Sequence, residues 1–230
     1  YFDMDDAVNN ALKIFNSTFY LPLISVIMPV YNGDEYVEDA VESILQQTVR
    51  DFEFIIVNDG STDNTKTILE RLAQKDKRIK LYSQKKEGLI FSLNKAIRFA
   101  KGKFIARMDA DDISVQDRFE RQIAFMSKNP SVYILGGWAE LFGAMHEVWH
   151  HRQDDLFIKN LLMFRTSGFQ HSSVLARREV FEKYQYESEW PHIEDVALWC
   201  KIAAREPWEF HNLRHVLIYY RVHSKQVSEQ

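Results

Sequence analysis

The sequence contains only one cysteine, Cys200, so no disulfide bond can form within the chain. A single cysteine is typical of proteins from a reducing compartment, and we therefore expect a cytoplasmic chain. Cys200 lies beside Trp199 in an apolar helical pattern, which favours a buried thiol over a catalytic nucleophile.

Long apolar runs are also missing. No stretch reaches the roughly 18 residues that a membrane-spanning helix requires, and no signal peptide is visible. The chain begins at Tyr1 rather than at a methionine, so we expect it to be part of a longer protein. The missing anchor therefore excludes a membrane span only within the printed sequence.

The chain has no excess of positive charge. It carries 29 basic and 33 acidic side chains, a formal net charge of -4, which argues against a general nucleic-acid-binding surface. It has no Gly-x-Gly-x-x-Gly segment after its first apolar run and no Walker loop, so dinucleotide and P-loop chemistry are not expected. An acidic chain still binds phosphate groups where a metal ion supplies the positive charge.

Short, almost uninterrupted apolar runs dominate the first half of the chain. They are typical of strands covered on both faces, and they comprise residues 23–30, 52–57, 79–82 and 104–108. Apolar residues at helical spacing separate them, and 230 residues suffice for one substantial domain. We therefore predict an α/β fold with a mostly parallel central sheet flanked by helices.

The pattern after residue 113 is mixed. We predict helices over residues 118–127, 154–165 and 195–205, and strands over residues 133–142, 172–176 and 216–222. A Gly136-Gly137 pair interrupts the first of these strands. Residues 1–20 have apolar positions near one face of a helix and are predicted to form an N-terminal helical extension.

Polar clusters follow the first, second and fourth predicted strands, at residues 29–34, 58–61 and 109–112. The carboxyl ends of parallel strands meet at one edge of a sheet, and ligands bind there. We therefore expect these three segments to be neighbours in space despite their separation in the sequence.

The sharpest of these clusters contains Asp109, Asp111 and Asp112. In an extended segment Asp109 and Asp111 point to the same side. Neighbouring carboxylates repel one another unless they are solvated, paired or bound to a cation, and oxygen ligands suit Mg²⁺ or Mn²⁺. A helix N-terminus would also explain the triplet, but its position after a buried strand favours a metal site.

Several other side chains could carry chemistry, and each has an ordinary structural alternative. Asp59 could accept a hydrogen bond from a base or ribose, or it could belong to an Asx turn. Glu194 and Asp195 precede a helix, where acidic residues complement the dipole, although one of them could be a general base. Trp190 could form an acceptor wall or lie in the core.

Two histidines, His171 and His223, lie near the ends of apolar segments. A lone histidine is more often a satisfied core or surface residue than a ligand. The remaining histidines show no spacing typical of a metal site.

Six segments carry recognisable motifs in a fixed order along the chain: Ile24–Gly33, Asn58–Asp63, Ala106–Asp112, Gln170–Val174, Glu194-Asp195 and Tyr220–His223. Together they resemble the family 2 glycosyltransferases with the A-type glycosyltransferase (GT-A) fold. The resemblance runs from about residue 22 to residue 228, and the motifs are specific as a set although each is weak alone. It implies a single Rossmann-like nucleotide-diphospho-sugar transferase domain.

The resemblance also implies an activity. The implied enzyme is an inverting glycosyltransferase of the hexosyltransferase type. It moves a sugar from a nucleotide-sugar donor, with a UDP-sugar favoured, to an acceptor hydroxyl. Its implied cofactor is Mn²⁺ or Mg²⁺. The implied acceptors are glycans, lipid-linked glycans or glycoproteins in cell-envelope polysaccharide biosynthesis, and nucleic acid is not a partner. The expected location is cytoplasmic, at the inner face of the membrane, with peripheral membrane association through parts outside this sequence.

Carried over residue by residue, the resemblance assigns Pro29, Val30, Tyr31 and Asp59 to the nucleoside. It assigns Asp109 to both the nucleotide and the metal ion. The first segment, Pro29 to Asp34, has no Gly-rich basic loop, which argues against a sugar-1-phosphate nucleotidyltransferase as the alternative enzyme.

The same transfer assigns Asp111, with Asp109, to the metal ion, and His223 matches a position that helps to hold the metal or the diphosphate. Asp195 matches the catalytic base, with Glu194 beside it. These acidic residues argue against the other alternative, a non-catalytic sugar-nucleotide-binding module.

His171 and Trp190 are assigned to the acceptor or donor-sugar pocket. The sequence departs from the family where Asn58 stands in place of a common Asp and where Gln170-His171-Ser172 replaces a common His-Pro pair, which weakens the assignment of His171. We expect a catalytic domain over residues 21–230, with a nucleotide-binding half over about 21–112 and an acceptor-binding half over about 113–230.

Overall fold

The computed structural model describes residues 21–164 and 166–224. The helix predicted within residues 1–20 lies outside the described residues. The described chain forms one α/β domain, in which helices cover both faces of a nine-stranded sheet. No helix in the described ranges has both the length and the apolar composition needed to cross a bilayer.

The first half alternates strands and helices. Its elements are β1 (Ile24–Val30), α1 (Val37–Leu45), β2 (Phe52–Asn58), α2 (Thr65–Lys75), β3 (Ile79–Ser83), α3 (Leu89–Phe99) and β4 (Phe104–Arg107). β1 pairs in parallel with β2 and β4, and β2 pairs in parallel with β3. Every residue of β1 is buried, as expected for a strand covered on both faces. The α/β prediction is thereby confirmed.

The second half extends the sheet with mixed strand directions. Its elements are β5 (Ile113–Ser114), α4 (Arg118–Lys128), β6 (Val132–Gly143), β7 (Glu147–Trp149), α5 (Asp155–Met163), a 3₁₀ turn (His171–Ser173), β8 (Leu175–Arg177), α6 (Arg178–Lys183), α7 (Glu194–Ala203) and β9 (Glu209–Val222). The strand order is β3-β2-β1-β4-β8-β6-β9-β5, with β7 paired to β6.

The strand directions place most strand ends at one edge. β8 is antiparallel to both β4 and β6, so β6 runs in the direction of β4, and β9 is parallel to β6. The carboxyl ends of β1 to β4, β6 and β9 therefore lie at the same edge of the sheet. We call this edge the carboxyl edge.

Side chains that alternate along the strands build a hydrophobic core on each face of the sheet. Val26 and Met28 pack on the face covered by α1, α2 and α4, which we call the α1 face. Ile27 and Ile55 pack on the face covered by α3, α5, α6 and α7, which we call the α7 face. Each fully buried side chain of this kind contributes about 1.5–3 kcal/mol to folding. The two cores fix the carboxyl edge between two layers of helices.

Two adjacent glycines interrupt β6 without ending it. A Cβ atom on Gly136 would collide with the side chains of Asn212 and Phe169, and one on Gly137 would collide with Leu217. The pairing of β6 with β9 shifts register immediately after Gly137. The predicted interruption is therefore a bulge inside a continuous strand.

Two predicted strands differ from the structure. Residues 172–176 were expected to be one strand, but His171–Ser173 forms a 3₁₀ turn and the strand is Leu175–Arg177. The hydroxyl of Ser173 donates to the carbonyl of Gln170 at 2.7 Å, which closes this turn. The last strand, β9, begins at residue 209 rather than at residue 216.

Candidate active site

Three loops leave the carboxyl edge side by side. The first two are joined by hydrogen bonds: the amide of Thr62 donates to Asn32 Oδ1 at 2.8 Å, and the amide of Asn32 donates to Ser61 Oγ at 3.0 Å. The amide of Gly33 also donates to Thr65 Oγ1 at 2.8 Å. We call these loops the β1 loop (residues 31–36), the β2 loop (residues 59–64) and the β3 loop (residues 84–88).

The carboxylate of Asp59 holds the β3 loop. Its Oδ1 accepts from the amide of Glu87 at 2.8 Å and from Gln84 Nε2 at 2.7 Å, and its Oδ2 accepts from the amide of Gly88 at 2.8 Å. Asp59 is only 4% exposed. The side chain is thus an anchor between two loops.

The Asx turn considered for Asp59 belongs to its neighbour. The amide of Ser61 donates to Asn58 Oδ1 at 3.1 Å. Gly60 follows in a left-handed conformation with φ 71°, and a Cβ atom there would lie 2.7 Å from the backbone nitrogen of Lys86. Only glycine allows the β2 and β3 loops to approach so closely.

The residues at the end of β1 divide into a buried and an exposed part. Pro29 and Val30 are buried within the sheet, whereas Tyr31 is 42% exposed. Lys86 Nζ lies 3.8 Å from the centroid of the Tyr31 ring. An aromatic face with a cation beside it can hold a flat base near a phosphate group.

The three predicted metal-ligating aspartates lie together after β4. Oxygen atoms of Asp109, Asp111 and Asp112 all lie within 4.8 Å of one another. Asp109 forms an ion pair with Arg107. Asp112 Oδ1 accepts from the backbone amide of Arg221 at 3.0 Å, which ties the cluster to the end of β9.

Burial and the short distances between these carboxylates change their pKa values. Burial raises the pKa of Asp112 well above its ordinary value, and the charges of Asp109 and Asp111 raise it further. Burial also raises the pKa of Asp109, although the neighbouring Arg107 opposes this effect. A divalent cation would relieve the repulsion, and carboxylate oxygens are the ligands that Mg²⁺ and Mn²⁺ prefer. The donor set therefore fits such an ion.

His223 joins this cluster from the end of β9. Its Nε2 atom lies 3.1 Å from Asp111 Oδ2, and its ring centroid lies 4.7 Å from that of Tyr36. The guanidinium of Arg221 donates from Nε to the carbonyl of Asp111 at 2.9 Å and lies over the Tyr36 ring at 4.4 Å. These contacts bring the predicted metal residues Asp109, Asp111 and His223 to one place.

The predicted base lies in the first turn of α7, on the α7 face. Asp195 Oδ2 accepts from the hydroxyl of Ser167 at 3.1 Å, and burial raises the pKa of Asp195. Glu194 is 7% exposed, and burial followed by the charge of Asp195 raises its pKa. The charge of Asp195 also raises the pKa of Asp109, so Asp195 and the acidic cluster act on each other electrostatically.

Arg107 is the residue that sequence reasoning missed as a site residue. Its side chain is buried at the end of β4, and its Nε atom has no hydrogen-bond partner among the described residues. Its charge acts on Asp109, Glu194 and Asp195, lowering the pKa of each against the effect of burial. A charged residue at the end of an apolar strand, two positions before the acidic motif, was the available signal.

His171, in the 3₁₀ turn before β8, lies close enough to Arg107 for the charge of Arg107 to act on it. Its Nε2 atom lies 2.8 Å from the hydroxyl of Tyr186, and its ring packs edge-on against Trp199. Burial, and then the charge of Arg107, lower the pKa of His171 well below its ordinary value, so this imidazole is neutral near pH 7. Trp190, on the segment before α7, is 45% exposed and not part of the core.

Comparison with known proteins gives the family. The sequence matches the family described as Glycosyl transferase family 2 over residues 25–185. The chain therefore belongs to this family, and it is a glycosyltransferase.

Two curated relatives illustrate the similarity. The chain is 32% identical over 219 residues to the O-antigen biosynthesis glycosyltransferase WbnJ of Escherichia coli, covering 91% of this chain and 83% of WbnJ. It is 30% identical over 217 residues to the putative teichuronic acid biosynthesis glycosyltransferase TuaG of Bacillus subtilis, covering 92% of this chain and 83% of TuaG.

Two solved structures share the fold. Residues 1–349 of S. aureus TarS in complex with UDP superpose with a TM-score of 0.72 at 20% identity, covering 86% of this chain and 60% of that chain. The mannosyltransferase PcManGT from Pyrobaculum calidifontis, in complex with GDP-Man and Mn²⁺, gives a TM-score of 0.69 at 20% identity, covering 90% of this chain and 59% of that chain. The chain thus spans about 60% of the TarS chain. The GT-A fold expected from the motifs is confirmed.

Proposed function

We propose that this glycosyltransferase moves a hexose from a UDP-sugar to an acceptor hydroxyl in a single displacement with inversion. The observation that carries the proposal is that the charge of Arg107 acts on acidic groups from two separate elements. The aspartates led by Asp109 lie at the end of β4, and Asp195 lies at the start of α7. The aspartates after β4 suit a diphosphate with its cation, and Asp195 suits an acceptor hydroxyl.

Asp195 is the general base in this proposal. Its raised pKa makes the carboxylate a better proton acceptor, and the hydroxyl of Ser167 orients it. The acceptor proton moves to Asp195 as the acceptor oxygen attacks the anomeric carbon, and the bond from that carbon to the diphosphate breaks. Glu194 lies beside the base and helps to set its charge environment. One base on the attacking side supports inversion, since a covalent intermediate would require a nucleophile on the other face.

Asp109 and Asp111, with His223, would hold the metal ion. A bound Mn²⁺ or Mg²⁺ would neutralise the negative charge that develops on the leaving diphosphate. The Mn²⁺ in the PcManGT complex supports a divalent ion for this chain. Asp111 is the proposed direct ligand, and Asp109 is shared between the ion and the nucleotide.

The nucleoside would lie on the end of β1. Tyr31 offers an exposed ring for the base, Pro29 and Val30 form the floor, and Asp59 supports the site by fixing the β3 loop. UDP in the TarS complex supports a UDP-sugar as the donor. PcManGT is in complex with GDP-Man, so the choice of UDP over GDP is part of the proposal.

The proposed division of labour follows the two halves of the chain. Residues 21–112 would bind the donor, and residues 113–230 would bind the acceptor, with Trp190 and His171 near the sugars. The names of WbnJ and TuaG support a glycan or lipid-linked glycan acceptor in cell-envelope polysaccharide biosynthesis. A glycoprotein is the third candidate acceptor. The proposed place of action is the cytoplasm, at the inner face of the membrane.

The first experiment is calorimetric titration of UDP and of GDP, with Mn²⁺, with Mg²⁺ and with EDTA. We expect UDP to bind with Mn²⁺ and to lose at least about tenfold in affinity with EDTA, because the ion contributes several kcal/mol of charge stabilisation. Asp111→Ala should show the same loss in the presence of Mn²⁺. Glu70→Gln, at an exposed position on α2, is the matched control and should bind normally. Binding of neither nucleotide under any metal condition would contradict the proposal.

A second experiment tests the base. Asp195→Asn should retain UDP binding while release of UDP from a panel of UDP-sugars in the presence of acceptors falls about 10²–10⁴-fold. Loss of UDP binding in this variant would contradict the assignment. Release of pyrophosphate from UTP and a sugar phosphate by the unmodified chain would instead identify a nucleotidyltransferase.

A further inference from the structure

A groove of about 430 Å³ lies apart from the acidic cluster, between the β6–β9 bulge and the N-terminus of α5. Trp138 and Arg214 line it from the two bulged strands. His151, Arg152 and Asp154 line it from the segment that precedes α5. None of these residues belongs to the proposed donor site.

The groove has more positive than negative charge. Arg152 and Arg214 are both exposed, and neither guanidinium group forms an ion pair or a hydrogen bond with the described residues. The guanidinium of Arg152 lies over the ring of Phe157 at 5.5 Å. Asp154 is the lining carboxylate, and its Oδ1 already accepts from the amide of Phe157 at 3.2 Å as the cap of α5. The N-terminus of this nine-residue helix adds partial positive charge. An oxyanion would therefore be favoured here.

The aromatic side chains of Trp138 and His150 line the groove together with these arginines. Trp138 Nε1 donates to the carbonyl of His151 at 3.1 Å, and the ring of His150 packs edge-on against the indole with centroids 4.4 Å apart. Burial lowers the pKa of His151, and its Nε2 atom has no hydrogen-bond partner in the described part of the chain. A fixed indole next to free arginines suits a sugar ring that carries an acidic group.

The groove is connected to the proposed base through a short path. Asn212 Nδ2 donates to the carbonyls of Arg152 and Gly168, each at 2.8 Å. The residue before Gly168 is Ser167, whose hydroxyl donates to Asp195. β6 is two strands away from β4, which is about 10 Å at the usual strand spacing. The groove therefore lies where a part of the acceptor beyond the reacting sugar would reach.

We propose that this groove is an acceptor subsite that binds an anionic group, a phosphate or a carboxylate, carried by the acceptor glycan. The inference rests on the proposed function, because it takes the acceptor to lie beside Asp195. Arg152 and Arg214 bind the oxyanion, and Trp138 packs against the sugar that bears it.

The test is a nuclear magnetic resonance titration of the ¹⁵N-labelled chain with inorganic phosphate, D-glucuronate and D-glucose at constant ionic strength without metal. The indole N–H signal of Trp138, identified by its loss in Trp138→Phe, reports on the groove, and the other four indole signals are internal references. We expect saturable shifts with phosphate or glucuronate and none with glucose. Arg152→Gln and Arg214→Gln should each weaken binding about tenfold or more. Arg205→Gln, at an exposed arginine beyond α7, is the matched control and should bind as the wild type does.

The outcomes separate the sources of the anion. Binding of phosphate alone supports a phosphorylated or diphosphate-linked acceptor, and stronger binding of glucuronate supports an acidic sugar. The inference is overturned by an absence of saturable shifts at Trp138, by equal binding of glucose, or by unchanged affinity in the Arg152→Gln/Arg214→Gln double variant.

The same samples also receive UDP with Mn²⁺. UDP binding without an anion response at Trp138 would overturn the subsite alone. An anion response in a chain that bound no UDP would overturn the proposed function and support the groove as an anion site.

Discussion

The β1, β2 and β3 loops satisfy their polar groups in a different way from the charged residues around Arg107. We call these residues, Arg107, Asp109, Asp111, Asp112, Glu194 and Asp195, the charged centre. In the loops, Asn32 and Asp59 accept hydrogen bonds of 2.7–2.8 Å from backbone and side-chain donors of neighbouring loops. In the charged centre, Asp112 is buried and Asp195 is partly buried, and the pKa of each is raised. The Nε atom of Arg107 has no hydrogen-bond partner among the described residues. The polar groups of these loop residues have partners within the protein, whereas the charges of the charged centre are not fully compensated.

This difference indicates how stability is distributed. Satisfied hydrogen bonds between loops organise a binding surface before the nucleotide arrives. Buried charges near one another cost folding free energy and persist where function requires them. Removing a hydrogen-bond acceptor from the loops should therefore lower stability. In the charged centre, removing the cation should lower stability and removing a carboxylate charge should raise it, and three predictions test this.

The largest effect is expected for Arg107→Met. Arg107 is buried, and removing its guanidinium leaves the partly buried Asp109 and Asp195 without their shared cation. The free energy of unfolding should therefore fall by about 3–5 kcal/mol. Denaturant-induced unfolding, followed by circular dichroism, measures this loss. Arg107→Lys, which keeps the charge, is the control and should lose less. A loss below about 1 kcal/mol in the methionine variant would mean that the charged centre does not depend on this cation.

An intermediate effect is expected for Asp59→Asn. The NH2 group of the asparagine would replace one of the two carboxylate oxygens and face a donor, either the amide of Gly88 or that of Glu87. The free energy of unfolding should therefore fall by about 1–3 kcal/mol. The amides of the β3 loop should exchange with solvent faster, and UDP affinity should fall with them. Hydrogen exchange and calorimetry give the two measurements. Lower UDP affinity with unchanged exchange at Glu87 and Gly88 would show that Asp59 contacts the nucleotide directly instead of anchoring the loop.

The smallest effect is expected for the stability of Asp195→Asn, and it has the opposite sign. Burial holds the folded-state pKa of Asp195 above its unfolded value, so the stability contributed by its protonated form is lost as the pH rises through the folded pKa. Asparagine stays neutral, so the variant should be more stable than the wild type at pH 8 by about 1 kcal/mol. The difference should shrink as the pH falls towards 3.8, the ordinary value.

Thermal unfolding at several pH values measures this difference, and Glu70→Gln should show no comparable trend. A variant that is less stable than the wild type at pH 8 would indicate that the hydrogen bond from Ser167 outweighs the burial of the charge.

The first half of the fold could be predicted because β1, β2 and β4 are buried on both faces and each helix has one apolar face. Ile24–Val30 and Phe52–Asn58 have the continuous apolar runs that such burial requires. The position of Asp59 and the acidic cluster at the same edge of the sheet also followed from strand direction alone. What the sequence did not show was that the carboxylate of Asp59 is occupied by the β3 loop, since Gln84 and Gly88 lie in a different unit.

The second half was harder to predict because its polar residues find partners far along the chain. Asn212 is fully buried inside β9, where it donates to Arg152 and Gly168, and such a residue breaks the apolar pattern of a strand. The contact between His171 and Tyr186 spans 15 residues. The importance of Arg107 depends on charges brought in by α7, which no local pattern contains. The roles of the predicted site residues stay predictions until binding and transfer are measured.

The glycine pair in β6 has a consequence for how this enzyme can diverge. Neither Gly136 nor Gly137 has room for a Cβ atom, because Asn212 and Leu217 already occupy that space. A side chain at either position would therefore force these neighbours to move. The next residue along the strand, Trp138, faces the groove and is free of this restriction. If the groove is the proposed acceptor subsite, a substitution at Trp138 is the change that would alter acceptor binding while the two glycines keep the path of the strand.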